Sequence, residues 1–352
     1  MNRRHDGSFR IAAFVLAAVI ALGCAPALPA RAELAGAAAL TAAPTAAAAV
    51  DTYDENNPQD LTEEDIRGAA AIVMDSETGD VLFQKNADEI LYPASTTKIM
   101  TCLLALEYGE LDKAVKVPKQ ITKLPKDSSL VPLKAGEKTT LRDLLYGLML
   151  RSGNDAAVTI AVAVSGSVSK FVDKMNRRAQ ELGCTNTNFK NPHGYHNKAH
   201  YSTARDLAII AQEAMKNEEF RKIVSATSYT LAKTNKHKKR KITTSDAMLV
   251  ESSPHYYPYE IGIKTGYHSK AGQCFVGAAE KDGATLIAVT LKSSKNGRWT
   301  DTRRLMEYGF YQLSSELPGA QDDFGGFDSD GSQGAAADGP DDGETAGELG
   351  GF

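Results

Sequence analysis

The chain has 352 residues, a formal net charge of −4 at pH 7, 42% hydrophobic residues and 24% charged residues. These are the values of a globular protein with one large domain or two modest ones. Neither this charge nor any motif indicates a nucleic-acid partner. The four cysteines are widely separated, and this spacing excludes a disulfide framework and a zinc site.

Residues 1–32 have the pattern of a bacterial secretory signal peptide. Three arginines within the first ten residues precede the uncharged apolar run 11–22, which is too short to span a bilayer comfortably, and 30–32 is a small-x-small cleavage site. Two alternatives stay open, an uncleaved membrane anchor and a lipoprotein acylated at Cys24. We therefore expect an extracytoplasmic protein, secreted or associated with the cell wall.

Composition separates one domain from its flanks. Residues 33–60 are alanine-rich and then polar, and we interpret them as a linker. Residues 315–352 form an acidic, glycine-rich tail with few apolar side chains, which we expect to be disordered. The domain is predicted to span residues 61–314.

The domain begins and ends with strands and is helical between them. A hairpin is predicted at 70–75 and 81–85, and three strands at 260–265, 273–280 and 284–291 precede a helix at 299–313. Between them, helices are predicted from Ser95, after the capping box of Thr140 and Asp143, and at 156–164, 168–182 and 204–216. This order indicates an α+β fold, in which a five-stranded antiparallel sheet is flanked by helices and a mostly helical subdomain forms one wall of a cleft.

Ser95 and Lys98 are three residues apart at the start of an apolar helical run. That spacing places both side chains on one face of the first turn. A serine hydroxyl needs a base to take its proton, and a lysine amine that burial or a second cation keeps neutral can be that base. The motif alone is weak, because Ser167 and Lys170 repeat it, and there we interpret the serine as a helix N-cap.

Two further motifs make the first one specific. Ser152 and Asn154 lie in a loop between two predicted helices, and Lys264, Thr265 and Gly266 lie at the end of a predicted strand. The order Ser-x-x-Lys, Ser-x-Asn, Lys-Thr-Gly is typical of penicillin-binding proteins and class A β-lactamases.

This order of motifs assigns four catalytic residues. Ser95 would be the acylated nucleophile and Lys98 its general base. Ser152 would relay a proton towards the leaving group, and Asn154 would hold the substrate amide or the lysine. These residues would break the scissile bond, and those of the third motif would bind the substrate.

The third motif supplies the binding residues. Lys264 would place a positive charge at a substrate carboxylate, which Thr265 would also hydrogen-bond. Gly266 would let the substrate lie along the strand as an added strand. The backbone N–H groups of Ser95 and Tyr267 would form the oxyanion hole.

From residue 70 to residue 310 the chain resembles the serine-type D-Ala-D-Ala carboxypeptidases, the low-molecular-mass penicillin-binding proteins of peptidase family S11. Besides the three motifs, 191–194 and 202–208 look like sequences of that family. The resemblance implies a β-lactamase/transpeptidase-like fold and removal of the terminal D-alanine from peptidoglycan stem peptides through an acyl-serine ester. It also implies covalent inhibition by β-lactams and no metal or organic cofactor.

Three other functions stay open. A D,D-endopeptidase would use the same site to cut crosslinks. A β-lactamase would need a glutamate that activates water, and Glu213 has a suitable spacing to Asn217 but lies on a predicted helix. A catalytically silent wall-binding module would keep the fold, although all three motifs are intact.

Some features depart from the family or lie outside its motifs. Ile261 stands where many members have Asp, and His268 stands where many have Thr, which puts a hydroxyl contact to substrate in doubt. We interpret His193 and His200 as structural, because the lysine already supplies the base. The six basic residues within 233–241 mark a predicted hairpin tip, either a solvated loop or a patch for anionic wall polymer.

Overall fold

The structure, a computed structural model, describes residues 53–54 and 57–315. The predicted signal peptide, most of the predicted linker and the predicted tail beyond residue 315 lie outside the described residues. The strands are β1 (Ala70–Asp75), β2 (Val81–Lys85), β3 (Ala114–Lys116), β4 (Lys138–Thr140), β5 (Ser228–Leu231), β6 (Arg240–Thr243), β7 (Glu260–His268), β8 (Gly272–Lys281) and β9 (Ala284–Ser293). The α-helices are α1 (Lys98–Tyr108), α2 (Leu141–Leu150), α3 (Asn154–Ser165), α4 (Val168–Glu181), α5 (Ala204–Met215), α6 (Glu218–Val224) and α7 (Gly297–Ser315).

A five-stranded sheet forms the centre of the domain, in the order β2-β1-β9-β8-β7. Every neighbouring pair in it is antiparallel. The first two strands of the domain therefore join the last three, which confirms the predicted α+β fold. Strand β7 is at an edge of the sheet, so one side of its backbone is not paired with another strand of this sheet.

Both faces of the sheet are buried, and the alternation of side chains along β1 shows how. Ala70, Ile72 and Met74 belong to a core shared with the helices that precede β5, whereas Ala71 and Val73 belong to a second core with α7. Because successive side chains of a strand point to opposite faces, a continuous apolar run is required where both faces are covered. The terminal helix thus covers one face, as predicted, and the helical subdomain covers the other.

The start of α2 corrects one detail of the sequence analysis. The Thr140 hydroxyl accepts a hydrogen bond from the backbone N–H of Asp143 at 3.1 Å, as predicted for the cap. The Asp143 carboxylate does not accept a hydrogen bond from the backbone N–H of Thr140, which a full capping box requires. It accepts instead from the Tyr229 hydroxyl at 2.9 Å, which ties the helix to β5. The capping box is therefore only half formed, because a tertiary donor takes the carboxylate.

Several boundaries differ from the prediction. Strand β7 continues past Thr265 to His268, because its pairing with β8 carries on through Gly266 and Tyr267. Helix α3 begins at Asn154, two residues early. Helix α6 and the short β3–β4 pair were not predicted, whereas the hairpin that carries 233–241 is confirmed as β5–β6.

The residues that precede β1 pack against α7. The guanidinium of Arg304 lies 4.6 Å from the ring centroid of Tyr53, within the range of a cation–π contact. Pro58–Asp60 forms a short 3-10 turn. Among the described residues no single helix is long and apolar enough to cross a membrane; α3 and α4 have the composition only as a pair, which is bent by 85°.

Asp301 on α7 anchors the entry to the sheet and gives a test of this packing. Its buried carboxylate accepts from the backbone N–H groups of Arg67 and Gly68 at 3.0 and 2.9 Å and from the Ser293 hydroxyl at 2.8 Å. We expect Asp301→Ala to lower the free energy of unfolding by about 2–4 kcal/mol in urea denaturation, because buried donors lose a charged acceptor. The exposed control Asp173→Ala should change it by less than about 0.5 kcal/mol; equal losses would contradict the anchoring role.

Candidate active site

Ser95 lies in a tight 3-10 turn, Ala94–Thr97, that leads directly into α1. The residue before the serine is strained: Ala94 has a φ of 48°, which non-glycine residues rarely adopt. Hydroxyls hold the turn, since Thr96 donates to the Pro93 carbonyl at 2.7 Å and Thr97 donates to the Ala94 carbonyl at 2.8 Å. The serine is thereby presented at the surface of a cleft by an otherwise buried turn.

Lys98 is fully buried, and its Nζ contacts three oxygen atoms. It lies 2.9 Å from Ser95 Oγ, 2.9 Å from Asn154 Oδ1 and 2.6 Å from the backbone carbonyl oxygen of His193. The three partners come from the start of α1, the start of α3 and the loop before α5. One amine therefore joins three separate parts of the chain beside the serine hydroxyl.

The chemistry of these partners orients the amine. A carbonyl and an amide oxygen can only accept hydrogen bonds, whereas a hydroxyl can also donate one. A neutral Lys98 therefore donates to Asn154 and to His193, and its lone pair faces Ser95. Burial lowers the pKa of Lys98 well below its usual value, and the charge of Lys264 lowers it further, while Asp155 opposes this shift.

The Ser152 loop faces the same cleft. Ser152 has a φ of 57°, and its buried hydroxyl has no hydrogen-bond partner among the described residues. Asp155, one residue after Asn154, accepts from the backbone N–H groups of Val131 and Leu133 at 2.9 Å each. This carboxylate holds the cleft wall that precedes Val131 against α3.

Strand β7 forms the opposite wall. A Cβ atom on Gly266 would lie 3.1 Å from the backbone nitrogen of Ser95, so glycine lets the strand approach the serine turn closely. Thr265 pairs through its hydroxyl with that of Ser245 at 2.8 Å. Tyr267 is exposed in the cleft, with its side chain away from the core.

Lys264 lies beneath this wall rather than in its lining. It is buried, and its ammonium donates to the Thr265 carbonyl at 3.1 Å. Burial lowers the pKa of Lys264 to about 7, the nearby Asp246 raises it and Arg298 lowers it. Burial also raises the pKa of Asp246 to about 6. The charge of this lysine therefore depends on a buried carboxylate that the sequence analysis did not identify.

Two adjoining cavities of about 470 and 550 Å³ meet at Ser95. The first is lined on one side by Ser152 and Thr265 and also by Arg298 and Ser245. The second extends towards residues 193–196 and 268–270, where the Tyr195 hydroxyl donates to Asp127 at 3.0 Å. The structure thus places six of the eight predicted site residues in the lining of one cleft. The other two, Lys98 and Lys264, are buried behind the lining, where Lys98 contacts Ser95 and Lys264 contacts Thr265.

Several residues of the cleft were missed by the sequence analysis. Arg298 follows β9 at the start of α7, and Ser245 follows β6; neither belongs to a motif. The role of His193 was missed for another reason, because it contacts Lys98 through a backbone carbonyl that any residue carries. A polar residue just after a strand was the available signal for Ser245, but it is shared by many surface turns.

The two histidines are buried and uncharged, as their structural interpretation requires. Burial, with smaller contributions from neighbouring positive groups, lowers the pKa of His193 and of His200 to about 3. His200 lies 2.8 Å from Thr97 Oγ1 and accepts from the backbone N–H of Lys190, so its Nε2 carries the proton. Within the described part of the chain, no group of three or more His, Cys, Asp or Glu residues could hold a metal ion.

Glu213, the residue considered for a β-lactamase, lies outside the cleft. Arg178 donates to its carboxylate at 2.6 Å and Lys216 donates to it at 3.0 Å. Among the described residues that line the cleft at Ser95, the carboxylate is that of Asp127. No glutamate of the described residues therefore lines the cleft beside the serine, where it could activate a water molecule.

A serine beside a buried lysine, a Ser-x-Asn loop and a Lys-Thr-Gly edge strand around one cleft define a class of active-site-serine acyl-transfer enzymes. Comparison with known families agrees. The model of the D-alanyl-D-alanine carboxypeptidase family, peptidase S11, matches residues 56–295. The chain belongs to this family of serine hydrolases.

Individual relatives span most of the chain. The D-alanyl-D-alanine carboxypeptidase of Streptomyces sp. (strain K15) is 39% identical over 269 residues, which cover 71% of this chain and 89% of that protein. The D-alanyl-D-alanine carboxypeptidase DacF of Bacillus subtilis is 36% identical over 280 residues, which cover 78% of this chain and 69% of that protein. The crystal structure of the Streptomyces K15 DD-transpeptidase has a TM-score of 0.66 and 36% identity, and covers 71% of this chain and 100% of that one.

Gly194 tests the close packing around the serine turn. A Cβ atom on it would lie 1.7 Å from the Ala94 carbonyl oxygen, and its φ of 81° already disfavours other residues. We expect Gly194→Ala to lower the free energy of unfolding by about 3 kcal/mol or more and to abolish reaction with a fluorescent penicillin. Gly183→Ala, with a φ of 82° but no atom within 4 Å, is the matched control, and it should keep the labelling. Wild-type labelling of Gly194→Ala would contradict the contact.

Proposed function

We propose that this protein removes the terminal D-alanine from peptidoglycan stem peptides that end in D-Ala-D-Ala, with Ser95 as the nucleophile and Lys98 as its base. The observation that carries the proposal is the contact of Lys98 Nζ with Ser95 Oγ at 2.9 Å, inside a site where the two other oxygen partners of the amine cannot donate a proton. Membership of the carboxypeptidase family supports it independently.

In the acylation step, Ser95 Oγ attacks the carbonyl carbon of the penultimate D-alanine and its proton passes to Lys98 Nζ. The negative charge that develops on the carbonyl oxygen is stabilised by the backbone N–H groups of Ser95 and Tyr267. The C–N bond then breaks, and the proton held by Lys98 passes to the departing amine of D-alanine through the hydroxyl of Ser152, which has no partner among the described residues. An acyl-serine ester and free D-alanine result.

Binding of the substrate carboxylate involves positively charged and hydroxyl groups at one end of the cleft. Thr265, Ser245 and Arg298 line that end, and Lys264 lies behind Thr265. A carboxylate accepts strong charge-assisted hydrogen bonds from a guanidinium and favours nearby cations. We therefore assign the C-terminal carboxylate of the substrate to this end, and the rest of the stem peptide to the end near Tyr195.

Water would then hydrolyse the ester. β-Lactams would acylate Ser95 in the same way and leave slowly, since no glutamate lines the described cleft. Cleavage of D,D-crosslinks remains the alternative outcome of the same chemistry, and the released product distinguishes it: free D-alanine from a pentapeptide, or two monomers from a crosslinked dimer.

We also propose that the enzyme acts outside the cytoplasm of a bacterium, as a secreted or wall-associated protein. The support is the sequence pattern of residues 1–32 together with the substrate, which belongs to the cell wall. N-terminal sequencing of the exported protein tests this. A start after Ala32 supports the proposal, and an intact N-terminus or a lipidated Cys24 contradicts the assigned cleavage site.

The catalytic pair is tested by substitution. We expect Ser95→Ala to abolish both penicillin labelling and D-alanine release, because Ser95 carries the hydroxyl that contacts the proposed base, Lys98. Lys98→Ala should slow labelling by about 10²–10⁴-fold, because removal of a general base costs that much. The second Ser-x-x-Lys pair supplies the matched control: Ser167→Ala and Lys170→Ala should keep wild-type rates. Normal labelling of Lys98→Ala would require a different base.

The two buried lysines predict a bell-shaped pH dependence of kcat/KM. Acid should reduce it, because protonated Lys98 has no lone pair for Ser95; alkali should reduce it above about pH 7, because Lys264 loses the charge that attracts the substrate carboxylate. Asp246 raises the pKa of Lys264, so Asp246→Asn should move the alkaline limb to lower pH.

The measurement is D-alanine release from a synthetic peptide ending in D-Ala-D-Ala across this pH range. Asp173→Asn, at an exposed position, is the control and should keep the wild-type profile. An alkaline limb that does not move in Asp246→Asn would show that Lys264 is not the group that titrates there.

A further inference from the structure

Two distant stretches of the chain that each carry exposed lysines are hydrogen-bonded to each other in the helical subdomain. The β5–β6 hairpin contributes five exposed side chains: Lys233, Lys236, Lys238, Lys239 and Lys241. The β3–β4 pair and the turn before β4 contribute three more exposed side chains: Lys116, Lys134 and Lys138. We call these eight residues the lysine platform.

Direct hydrogen bonds join the two stretches. The backbone N–H of Lys138 donates to Asn235 Oδ1 at 2.8 Å, and Asn235 Nδ2 donates to the Gly136 carbonyl at 3.2 Å. The Thr234 hydroxyl donates to Glu137 at 2.9 Å. These hydrogen bonds attach the tip of the β5–β6 hairpin to the turn before β4. The lysines of the hairpin are therefore held by tertiary contacts and do not lie on a free loop.

The acidic residue at this junction is directed inwards. Glu137 is fully buried and accepts from Arg240 at 3.2 Å and from the backbone N–H of Lys134 at 2.9 Å. Arg240, the sixth basic residue of the 233–241 stretch, is therefore not part of the platform. None of the eight platform lysines forms an ion pair with a carboxylate of the described residues; the ion-paired lysines are Lys113, Lys216, Lys222 and Lys281.

The arrangement costs stability unless anions are present. Lys116 and Lys138 are directly opposite each other in the antiparallel β3–β4 pair, where like charges repel. The chain as a whole carries a net charge of −4, so this surface does not simply reflect a basic composition. A ligand with closely spaced negative charges would relieve the repulsion and release bound counterions.

We propose that the lysine platform binds an anionic, phosphate-containing polymer of the cell wall. The location of the polymer in the cell wall rests on the proposed function, because an enzyme that acts on peptidoglycan is in contact with the other polymers of the wall. The platform adjoins the cleft: Arg240 beneath it donates to the Val131 carbonyl at 3.1 Å, and Ser128, Ser129 and Leu130 line the cleft. Binding would hold the cleft against the material that carries its substrate.

The composition of the platform favours a polymer over a membrane surface. Peripheral membrane sites combine basic residues with apolar side chains that enter the lipid. The exposed large hydrophobic side chains of the described chain are Val81, Ile90, Tyr108, Leu130, Tyr267 and Tyr311. None of them lies on the β5–β6 hairpin, the β3–β4 pair or the turn before β4, which carry the platform.

The test measures binding of fluorescently labelled long-chain inorganic polyphosphate to the full-length chain by anisotropy. We expect the wild type to bind, with affinity falling by about tenfold or more between about 50 and 200 mM salt. The combined substitution of Lys233, Lys236, Lys238 and Lys239 by Gln should weaken binding by about tenfold or more and flatten this salt dependence. The matched control, which replaces exposed Lys170, Lys190, Lys292 and Lys295 by Gln, should bind within about twofold of the wild type.

Two further arms of the experiment test whether a different occupant covers the platform. Residues 316–352 carry ten acidic residues and no lysine or arginine; polyphosphate binding that appears only when the chain is ended after Ser315 would make the tail the occupant and overturn the proposal. Vesicles of phosphatidylglycerol and phosphatidylcholine should not bind. Platform-dependent binding to vesicles without binding to polyphosphate, or equal losses in both quadruple variants, would also overturn it.

Penicillin labelling of Ser95 is recorded for every variant. It should be unchanged by the platform substitutions, which lie outside the catalytic residues, and it reports that each variant is folded. If labelling is absent in the wild type while platform-dependent polyphosphate binding is present, the proposed function fails and the assignment of the platform as a site for a phosphate polymer stands. The reverse result rejects the platform alone.

Discussion

The hydrogen bonds of one buried amine hold the active site together. Lys98 Nζ contacts the hydroxyl of Ser95, the amide of Asn154 and the backbone carbonyl of His193, each within 2.9 Å. Burial of a charged ammonium is costly, so the fold favours the neutral amine, and the second buried lysine nearby adds to that preference. Our proposal assigns this same amine as the base. The cost of burying a charged Lys98 therefore determines both how the amine packs and whether it can accept a proton.

The surrounding structure maintains this constraint through close backbone contacts. Gly194 lies against the Ala94 carbonyl on one side of the serine turn, and Gly266 lies against the Ser95 nitrogen on the other. The turn itself carries a strained Ala94, and Ser152 across the cleft is also strained. Such strain persists only where neighbouring elements over-determine the backbone, here α1, the loop before α5 and the edge strand β7. The cleft is therefore built from rigid elements. The second buried lysine, Lys264, keeps its charge partly because Asp246 raises its pKa.

The sequence predicted the parts that depend on local patterns and on motif order. The hairpin at 70–85, the late strands, the terminal helix and the fold class follow from hydrophobic periodicity and chain order, and the family follows from three motifs that together are specific. Residues brought to the site by tertiary contacts could not be predicted in the same way. Arg298 and Asp246 belong to no motif, and His193 acts through a backbone atom. The Asp143 carboxylate accepts from the Tyr229 hydroxyl instead of the backbone N–H of Thr140, because a tertiary donor competes with the local one. Likewise, the sequence marked 233–241 as basic but could not show that Lys116, Lys134 and Lys138 adjoin it.

The most direct test of the account is the protonation state of Lys98 in the resting enzyme. Carbon-13 NMR of protein with labelled lysine side chains, assigned with Lys98→Arg, reports the titration of this one amine. The account predicts a midpoint well below the usual lysine value of about 10.4, so that the amine is neutral where the enzyme acts. A Lys98 that titrates near the usual value would be a cation beside Ser95 at neutral pH, and it could not take the proton of the hydroxyl.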